Sequence, residues 1–258
     1  MGASLAGLRI MITRPAHQAG HLQKLIEQAG GQPFLFPLLA ISGPSNPAEL
    51  KPLFQQIADF DMLIFVSANA VDYGIELLAD YGGIPDNVQL ACVGKGTARK
   101  LRLHARRPDI QPSQRYDSEA LLAQPAMQQV EGKSILIFRG QHGRELLADS
   151  LRARGAKVRY AEVYRRVKPD TDNRVLLQAL QQNQIDIISI TSSEALHNLI
   201  EMGHVELIAL QRLPLIVIHQ RIAERARQLG FHGTILVSQE TSDRGIFETL
   251  LKWHNGTD

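Results

Sequence analysis

The apolar positions of this chain fall in short unbroken runs rather than in strict alternation. The clearest run is Met62-Leu-Ile-Phe-Val66, which ends abruptly in Ser67-Ala-Asn69. A run of that length without alternation predicts a strand buried on both faces, as in a parallel sheet. Apolar positions then recur at helical spacing through Val71, Ile75 and Leu78, and Ser67 or Asn69 stands where that helix needs a cap. The pattern is therefore a strand that stops at a helix N-terminus. It returns 125 residues later, from Asp186 through Ile187-Ile-Ser-Ile190 to Thr191-Ser-Ser193.

The rest of the chain alternates in the same way. Leu8 to Thr13 predicts a strand, and Arg14-Pro15 opens a helix with Leu22, Leu25, Ile26 and Ala29 on its apolar stripe, closed by Gly30-Gly31. Residues 33–41 are extended but interrupted by Pro33 and Pro37, which restricts them to an edge strand or a linker. Ser42 to Pro47 reads as loop and Leu50 to Ala58 as helix. Leu90 to Val93 predicts a strand before a basic helix, and Asp109 to Pro112 a weak one. Tyr116 to Glu119 caps a helix through Leu121 and Leu122. Further strands follow at Ser134–Phe138, Leu215–Ile218 and Thr234–Val237, with residues 158–167 extended. Helices run through Leu146, Leu147 and Leu151, and through Ile246, Leu250 and Trp253.

An offset of 125 residues maps one half of the chain onto the other without a gap. Arg14 falls on Arg139, His17 on His142, Gly30 on Gly155, Asp61 on Asp186, Ser67 on Ser192, Ala98 on Ala223 and Ser113 on Ser238. Shared hydrophobicity alone does not keep glycines, arginines and serines in phase. The pattern predicts a duplicated α/β unit and two similar domains. The stretches 33–41 and 158–167 become equivalent, each either a strand within its own domain or a connector between domains.

Composition narrows the class. The chain has 258 residues, 44% of them hydrophobic, so two halves of this size can each bury a core. The net charge of +2, with both signs mixed along the chain, gives no electrostatic case for nucleic acid. The single cysteine, Cys92, lies in an apolar run and reads as a core residue. Met1 to Gly7 lacks the charged and apolar regions of a signal peptide, and no window is apolar for the roughly 18 residues a membrane span needs. A cytoplasmic globular protein is expected.

Four strand-to-helix junctions are candidates for chemistry. They are Thr13-Arg14-Pro15, Phe138-Arg139-Gly140, Ser67-Ala-Asn69 and Ser192-Ser-Glu194. Helix N-termini present free N–H groups and a partial positive charge, so they bind anions. Arg14, Arg139 and Arg144 add fork-shaped donors for carboxylates or phosphates; alternatively the serines only cap and the arginines are solvated. Gly94-Lys-Gly-Thr97 looks like a phosphate loop, but its counterpart, His219-Gln-Arg-Ile222, has no glycine. His17 and His21 share a helix face without a third metal ligand, and Cys92 lacks a base nearby in sequence. The run Lys95, Arg99, Lys100, Arg102, Arg106, Arg107 reads as a solvated helix face. Tyr164 is either a half-buried strand tyrosine or, if residues 158–167 bridge the domains, a group directed at the cleft.

Taken in order, these residues resemble the uroporphyrinogen-III synthase family. The resemblance rests on Ile12-Thr-Arg-Pro15, the stretch Asp61 to Val71, Val93-Gly-Lys-Gly-Thr-Ala98 and Ser118-Glu-Ala-Leu121. It continues through Gly132-Lys-Ser-Ile-Leu-Ile-Phe-Arg-Gly140, Gly143-Arg-Glu-Leu146, Gly155-Ala156, Val163-Tyr164 and Thr191-Ser-Ser193. It implies two similar flavodoxin-like α/β domains with parallel sheets, joined by a two-stranded antiparallel connector. One domain would be discontinuous, residues 1–37 with 166–258, and the other would span residues 38–165, with hinge strands near 33–41 and 158–167. The implied activity is that of a cofactor-free, metal-free cytoplasmic lyase. It closes linear hydroxymethylbilane into uroporphyrinogen III in an inter-domain cleft, losing water and inverting the last pyrrole ring through a spiro intermediate. The implied partners are the linear tetrapyrrole and, transiently, the upstream bilane-forming enzyme; a monomer is implied, with no nucleic acid and no membrane.

Carried onto this sequence, the resemblance gives Tyr164 the catalytic role. It gives substrate binding to Arg14, Ser67, Asn69, Gly94, Lys95, Thr97, Arg139, Arg144, Ser192, Ser193 and Arg221. The sequence departs from the family at His219-Gln-Arg-Ile222, where relatives often carry Gly-Pro-Thr-Thr; backbone amides and Arg221 remain there to bind, and Ile222 takes no role. Two other readings fit parts of the pattern: a hinge-closing ligand-binding module, and a nucleotide-binding regulator using Gly94-Lys-Gly96.

Overall fold

A computed structural model of the protein describes residues 4–256, so Met1 to Ala3 of the N-terminal stretch read above lie outside it. Ten strands are described: β1 (Arg9–Ile12), β2 (Gln32–Leu35), β3 (Ala40–Ser42), β4 (Met62–Phe65), β5 (Gln89–Cys92), β6 (Ser134–Gly140), β7 (Lys157–Val167), β8 (Ile187–Ile190), β9 (Leu215–Val217) and β10 (Ile235–Val237). They form two sheets in two compact units. Unit 1 comprises the chain up to Ala40 and from Val167 onward, and unit 2 spans Ile41–Arg166. No helix among the described residues is long and apolar enough to cross a membrane.

The sheet of unit 1 has the order β10-β9-β8-β1-β2, and all its pairs are parallel. That of unit 2 has the order β3-β7-β6-β4-β5, extended by a single bridge from Ala91 to Ile110. Leaving β3 aside, the 125-residue offset superimposes the two orders: β7-β6-β4-β5 and Ile110 match β2-β1-β8-β9 and Ile235. This is the doubly wound order in which the chain reverses direction across the sheet at a switch point, between β1 and β8 in one unit and between β6 and β4 in the other.

Repeat and unit do not coincide. The first repeat supplies β1 and β2 to unit 1 but β4 and β5 to unit 2; the second supplies β6 and β7 to unit 2 but β8 to β10 to unit 1. Each sheet is assembled from pieces of both repeats. The crossings lie between Ala40 and Ile41 and between Arg166 and Val167.

Both-face burial of the central strands is met side chain by side chain. On β4, Leu63 and Phe65 enter one core layer and Met62 and Ile64 the other. On β8, Ile188 and Ile190 face one layer and Ile187 the other. Each such side chain, fully withdrawn from water, contributes about 1.5–3 kcal/mol. An aspartate just before each switch strand fixes its neighbour. Asp61 accepts from the Ser134 N–H (2.7 Å), and Asp186 accepts from the Arg9 N–H (2.8 Å), the same bond in both repeats. Asp186 also takes the Arg9 guanidinium at 2.9 and 2.5 Å, which holds its carboxyl below the ordinary aspartate range.

Several elements differ from the sequence reading. Residues 33–41 are not one strand. Gln32–Leu35 pairs in parallel with β1, and Pro33 is tolerated because β2 is the sheet's edge. Phe36-Pro37-Leu38-Leu39 then breaks the strand, and Ala40–Ser42 resumes as the edge strand beside β7. The second stretch is extended as expected: Lys157–Val167 is a single strand, paired in parallel with β6. Asp109 to Pro112 forms only the Ile110 bridge. A helix over Asn173–Gln181 escaped the reading although Leu176, Ala179 and Leu180 line its buried face and Asp172 caps it.

Candidate active site

In open α/β sheets the strands' carboxyl edge at the switch point is where ligands sit. In unit 2 that edge is built by the ends of β4, β5, β6 and β7. β4 runs into Ser67, whose hydroxyl accepts the Ala70 N–H at 3.1 Å and so starts the helix Ala68–Leu78. Of the two cap candidates it is Ser67 that caps; Asn69 lies half-buried in the first turn.

Tyr164 reaches Ser67 because of a defect in the ladder. The β6–β7 register runs evenly to Arg139 and Glu162, then jumps to Gly140 and Tyr164. Such a bulge lets two consecutive residues face one side and re-aims the second. Val163 and Tyr164 accordingly enter the same core layer, where simple alternation would have separated them. The ring of Tyr164 lies against Gly140, where an added Cβ would meet ring carbons at 2.7 Å. Tyr73 stacks at 6.2 Å between centroids. The ring is buried, and its hydroxyl stands 3.1 Å from the Ser67 hydroxyl.

Arg139 is brought to the same edge but does not present an open fork. It is buried, its Nη1 donates to Glu145 at 2.8 Å, and its Nε donates to the Gly140 carbonyl at 3.2 Å. The guanidinium lies 4.5 Å over the Tyr160 ring, and the Tyr160 hydroxyl donates to the other Glu145 oxygen at 2.5 Å. The bonds from Tyr160 and Arg139 hold the Glu145 carboxyl below its ordinary range. Burial and the bond to Glu145 push the Tyr160 phenol up. Burial opposes the charge on Arg139, but the pairing with Glu145 outweighs it and its pKa rises. Arg144, in the following loop, is exposed and pairs with Glu119 at 2.6 Å.

β5 ends at Cys92 and meets Gly94, the cap position of the helix Lys95–His104. Thr97 is buried in the first turn of that helix, while the exposed Lys95 lies 4.7 Å over the Tyr116 ring. Burial pushes the Cys92 thiol up to about 11, which suits an inert core residue.

The carboxyl edge of unit 1 repeats the frame with different side chains. Thr13 donates to the Ser189 carbonyl at 2.5 Å and Ser189 to the Met11 carbonyl at 3.1 Å, stitching β1 to β8. Ser192 accepts the Ala195 N–H at 3.0 Å and caps the helix Ser193–Met202, with Ser193 itself exposed. Arg14 pairs with Asp243 at 3.0 Å, and His21 lies 3.1 Å from the other Asp243 oxygen. His219 stands at the cap of the helix Gln220–Gln228 without a side-chain bond, and Arg221 is exposed beside it. Leu39 occupies the repeat position of Tyr164, so this edge has no counterpart to the phenol.

The partners of several candidate side chains have no signal in the sequence. Glu145, Tyr160 and Asp243 answer the charges on Arg139 and Arg14, and Gly140 and Tyr73 frame Tyr164. Of these only Gly140 left a signal, a glycine inside a strand pattern, which marks a bulge or a close approach.

Fold and site together define a doubly wound α/β protein of two units. Among the described residues it offers several helix N-termini, suited to an anionic ligand, and one buried tyrosine. A sequence profile described as "Uroporphyrinogen-III synthase HemD" matches residues 20–248. The chain is similar to uroporphyrinogen-III synthase of Escherichia coli (strain K12), at 29% identity over 92% of this chain and 97% of that one. It is also similar to the enzyme of that name from Synechococcus elongatus, at 32% identity over 77% of this chain and 75% of that one. In fold it is similar to the crystal structure of uroporphyrinogen-III synthetase from Helicobacter pylori, with a TM-score of 0.60 at 17% identity, covering 95% of this chain and 99% of that one. The chain belongs to the uroporphyrinogen-III synthase family, enzymes that cyclise hydroxymethylbilane.

Proposed function

We propose that this chain closes hydroxymethylbilane to uroporphyrinogen III using the Tyr164 hydroxyl as the donor to the departing group. The observation that carries the reading is local to unit 2. A bulge and a glycine seat deliver one phenol to the start of a serine-capped helix at the switch point. Loss of the substrate's terminal hydroxyl breaks a C–O bond. A proton from Tyr164 leaves with the oxygen as water, and the adjoining pyrrole nitrogen shares the positive charge left on carbon. Capture of that carbon by the substituted α-carbon of the last ring forms a spiro centre. The bond from that centre to the preceding methylene then breaks. The freed methylene carbon, its charge shared with the neighbouring pyrrole, bonds the ring's unsubstituted α-carbon, which inverts the ring. The proton released on aromatisation restores the phenol. A positioned acid of this kind contributes about 10²–10⁴-fold, and holding the chain in the geometry for inversion supplies the rest.

The substrate's carboxylates are assigned to the helix starts at Asn69, at Gly94 to Thr97 and at Ser193, while the Ser67 and Ser192 hydroxyls are taken up as caps. The exposed side chains Lys95, Arg144 and Arg221 add to them. Arg14 and Arg139, each paired within its own unit, act by shaping these turns. The reading includes a transient contact with the enzyme that makes the bilane, supported by the tendency of the linear substrate to close unaided. The test is a coupled assay in which enzymatically made hydroxymethylbilane is supplied and the type I and type III isomers are separated. Type III product in the absence of added cofactor is expected; type I alone would sink the assignment.

A further inference from the structure

We infer that Ser67 is a positioning residue for the Tyr164 proton rather than a ligand of substrate carboxylate. The inference rests on the reading of Tyr164 as donor. Its basis is the count of protons and lone pairs at the pair of hydroxyls. Ser67 Oγ already accepts the Ala70 N–H, and it lies 3.1 Å from Tyr164 Oη. Each hydroxyl carries one proton and two acceptor positions. One proton fills the contact between the two oxygens. When Ser67 donates it, the phenol proton is released from the contact and turned away from Ser67. The cap bond strengthens Ser67 as a donor, because an oxygen already accepting one strong N–H bond donates more readily, and the serine rotor is held by the helix it starts. A serine engaged in both bonds has little left to offer a carboxylate.

The repeat supplies a matched control. Ser192 occupies the same position in unit 1 and makes the same cap bond, 3.0 Å to the Ala195 N–H, but there Leu39 stands at the repeat position of Tyr164. Replacing either serine by alanine removes a cap; only at Ser67 does it also remove the phenol's partner.

The experiment measures kcat, KM and the urea midpoint for Ser67→Ala, Ser192→Ala, Tyr164→Phe and the double variant Ser67→Ala/Tyr164→Phe, with Ser67→Thr as the conservative replacement. Ser67→Gly backs up Ser67→Ala, because glycine at a cap costs little. The two alanine variants should lose similar amounts of urea midpoint. Ser67→Ala should lower kcat about tenfold, the scale of one hydrogen bond, with KM nearly unchanged. Ser192→Ala should stay within about fivefold, the ceiling for a helix-terminus contact. The double variant should be no slower than Tyr164→Phe alone, because the serine acts only through the phenol, and Ser67→Thr should recover most of the rate. If Tyr164→Phe is slow but Ser67→Ala and Ser67→Gly match Ser192→Ala in kcat, the role given to Ser67 is wrong and the donor reading stands. Additive losses, or a loss confined to KM, would also overturn it, since Ser67 would then touch substrate directly. If Tyr164→Phe retains full kcat, the donor reading fails and the Ser67 inference falls with it.

Discussion

Tyr160 and Tyr164 lie on one strand, and their hydroxyls have different fates. Tyr160 donates to Glu145, which is also held by the buried Arg139, so its proton is committed to structure. Tyr164 meets the Ser67 hydroxyl, and since either oxygen can donate, the pair keeps one proton uncommitted. Substitution should separate them. Arg139→Ala strips the cover from Tyr160 and leaves its bonds to Glu145 and Gly140 unmade, for a loss of about 1–3 kcal/mol in urea unfolding. Arg144→Ala breaks an exposed pair and should barely move the midpoint. The opposite ranking would contradict the structural weight given to the buried Arg139.

At the scale of elements, the bulge between β6 and β7 is the device that aims the phenol. Gly140 is required not for its backbone angle but for the space its missing Cβ leaves to the Tyr164 ring. Gly140→Ala should therefore lower kcat at least tenfold, about the scale of one lost hydrogen bond, while far-ultraviolet circular dichroism stays native; unchanged turnover would show that the ring is not held by this seat. The strand-start aspartates make a second element-scale prediction. Asp186 has a depressed pKa through its bonds to Arg9, so its contribution is complete above the unfolded aspartate value, near pH 3.9, and is lost as pH falls through the lower folded value. Asp186→Asn should lower the urea midpoint at neutral pH and flatten the acid-side fall. A variant whose acid-side profile parallels the parent's would contradict this linkage.

At the scale of the whole molecule, the repeat was legible because polar residues with fixed duties recur in phase, among them Asp61 and Asp186, and Ser67 and Ser192. The parallel sheets were legible from the unbroken apolar runs, which β4 and β8 bury on both faces. What the runs do not encode is which strands share a sheet. Each repeat divides its strands between the two units, and pairing between strands 73 residues apart (Met62 with Ile135) or 177 apart (Ile10 with Ile187) leaves no local period to read. The break of residues 33–41 into two edge strands was hidden for a similar reason, since Pro33 and Pro37 suit an edge in either unit. Candidate site residues were legible as types at strand ends. Their charge partners were not, because Asp243 lies 229 positions from Arg14 and Glu145 sits in a loop without periodicity.

The most direct test of the account is turnover of Tyr164→Phe, measured with hydroxymethylbilane generated in place and compared with its urea midpoint on the same preparation. The substitution keeps the ring, its seat on Gly140 and its stacking on Tyr73, and removes one oxygen. A fall in kcat for the type III isomer of about a hundredfold is expected, with the midpoint shifted by no more than the loss of one hydrogen bond, about 1 kcal/mol, and with binding of the type III product retained. A kcat within about threefold of the parent, a difference of under 1 kcal/mol in the barrier, would contradict it and leave the chemistry to backbone donors and substrate geometry.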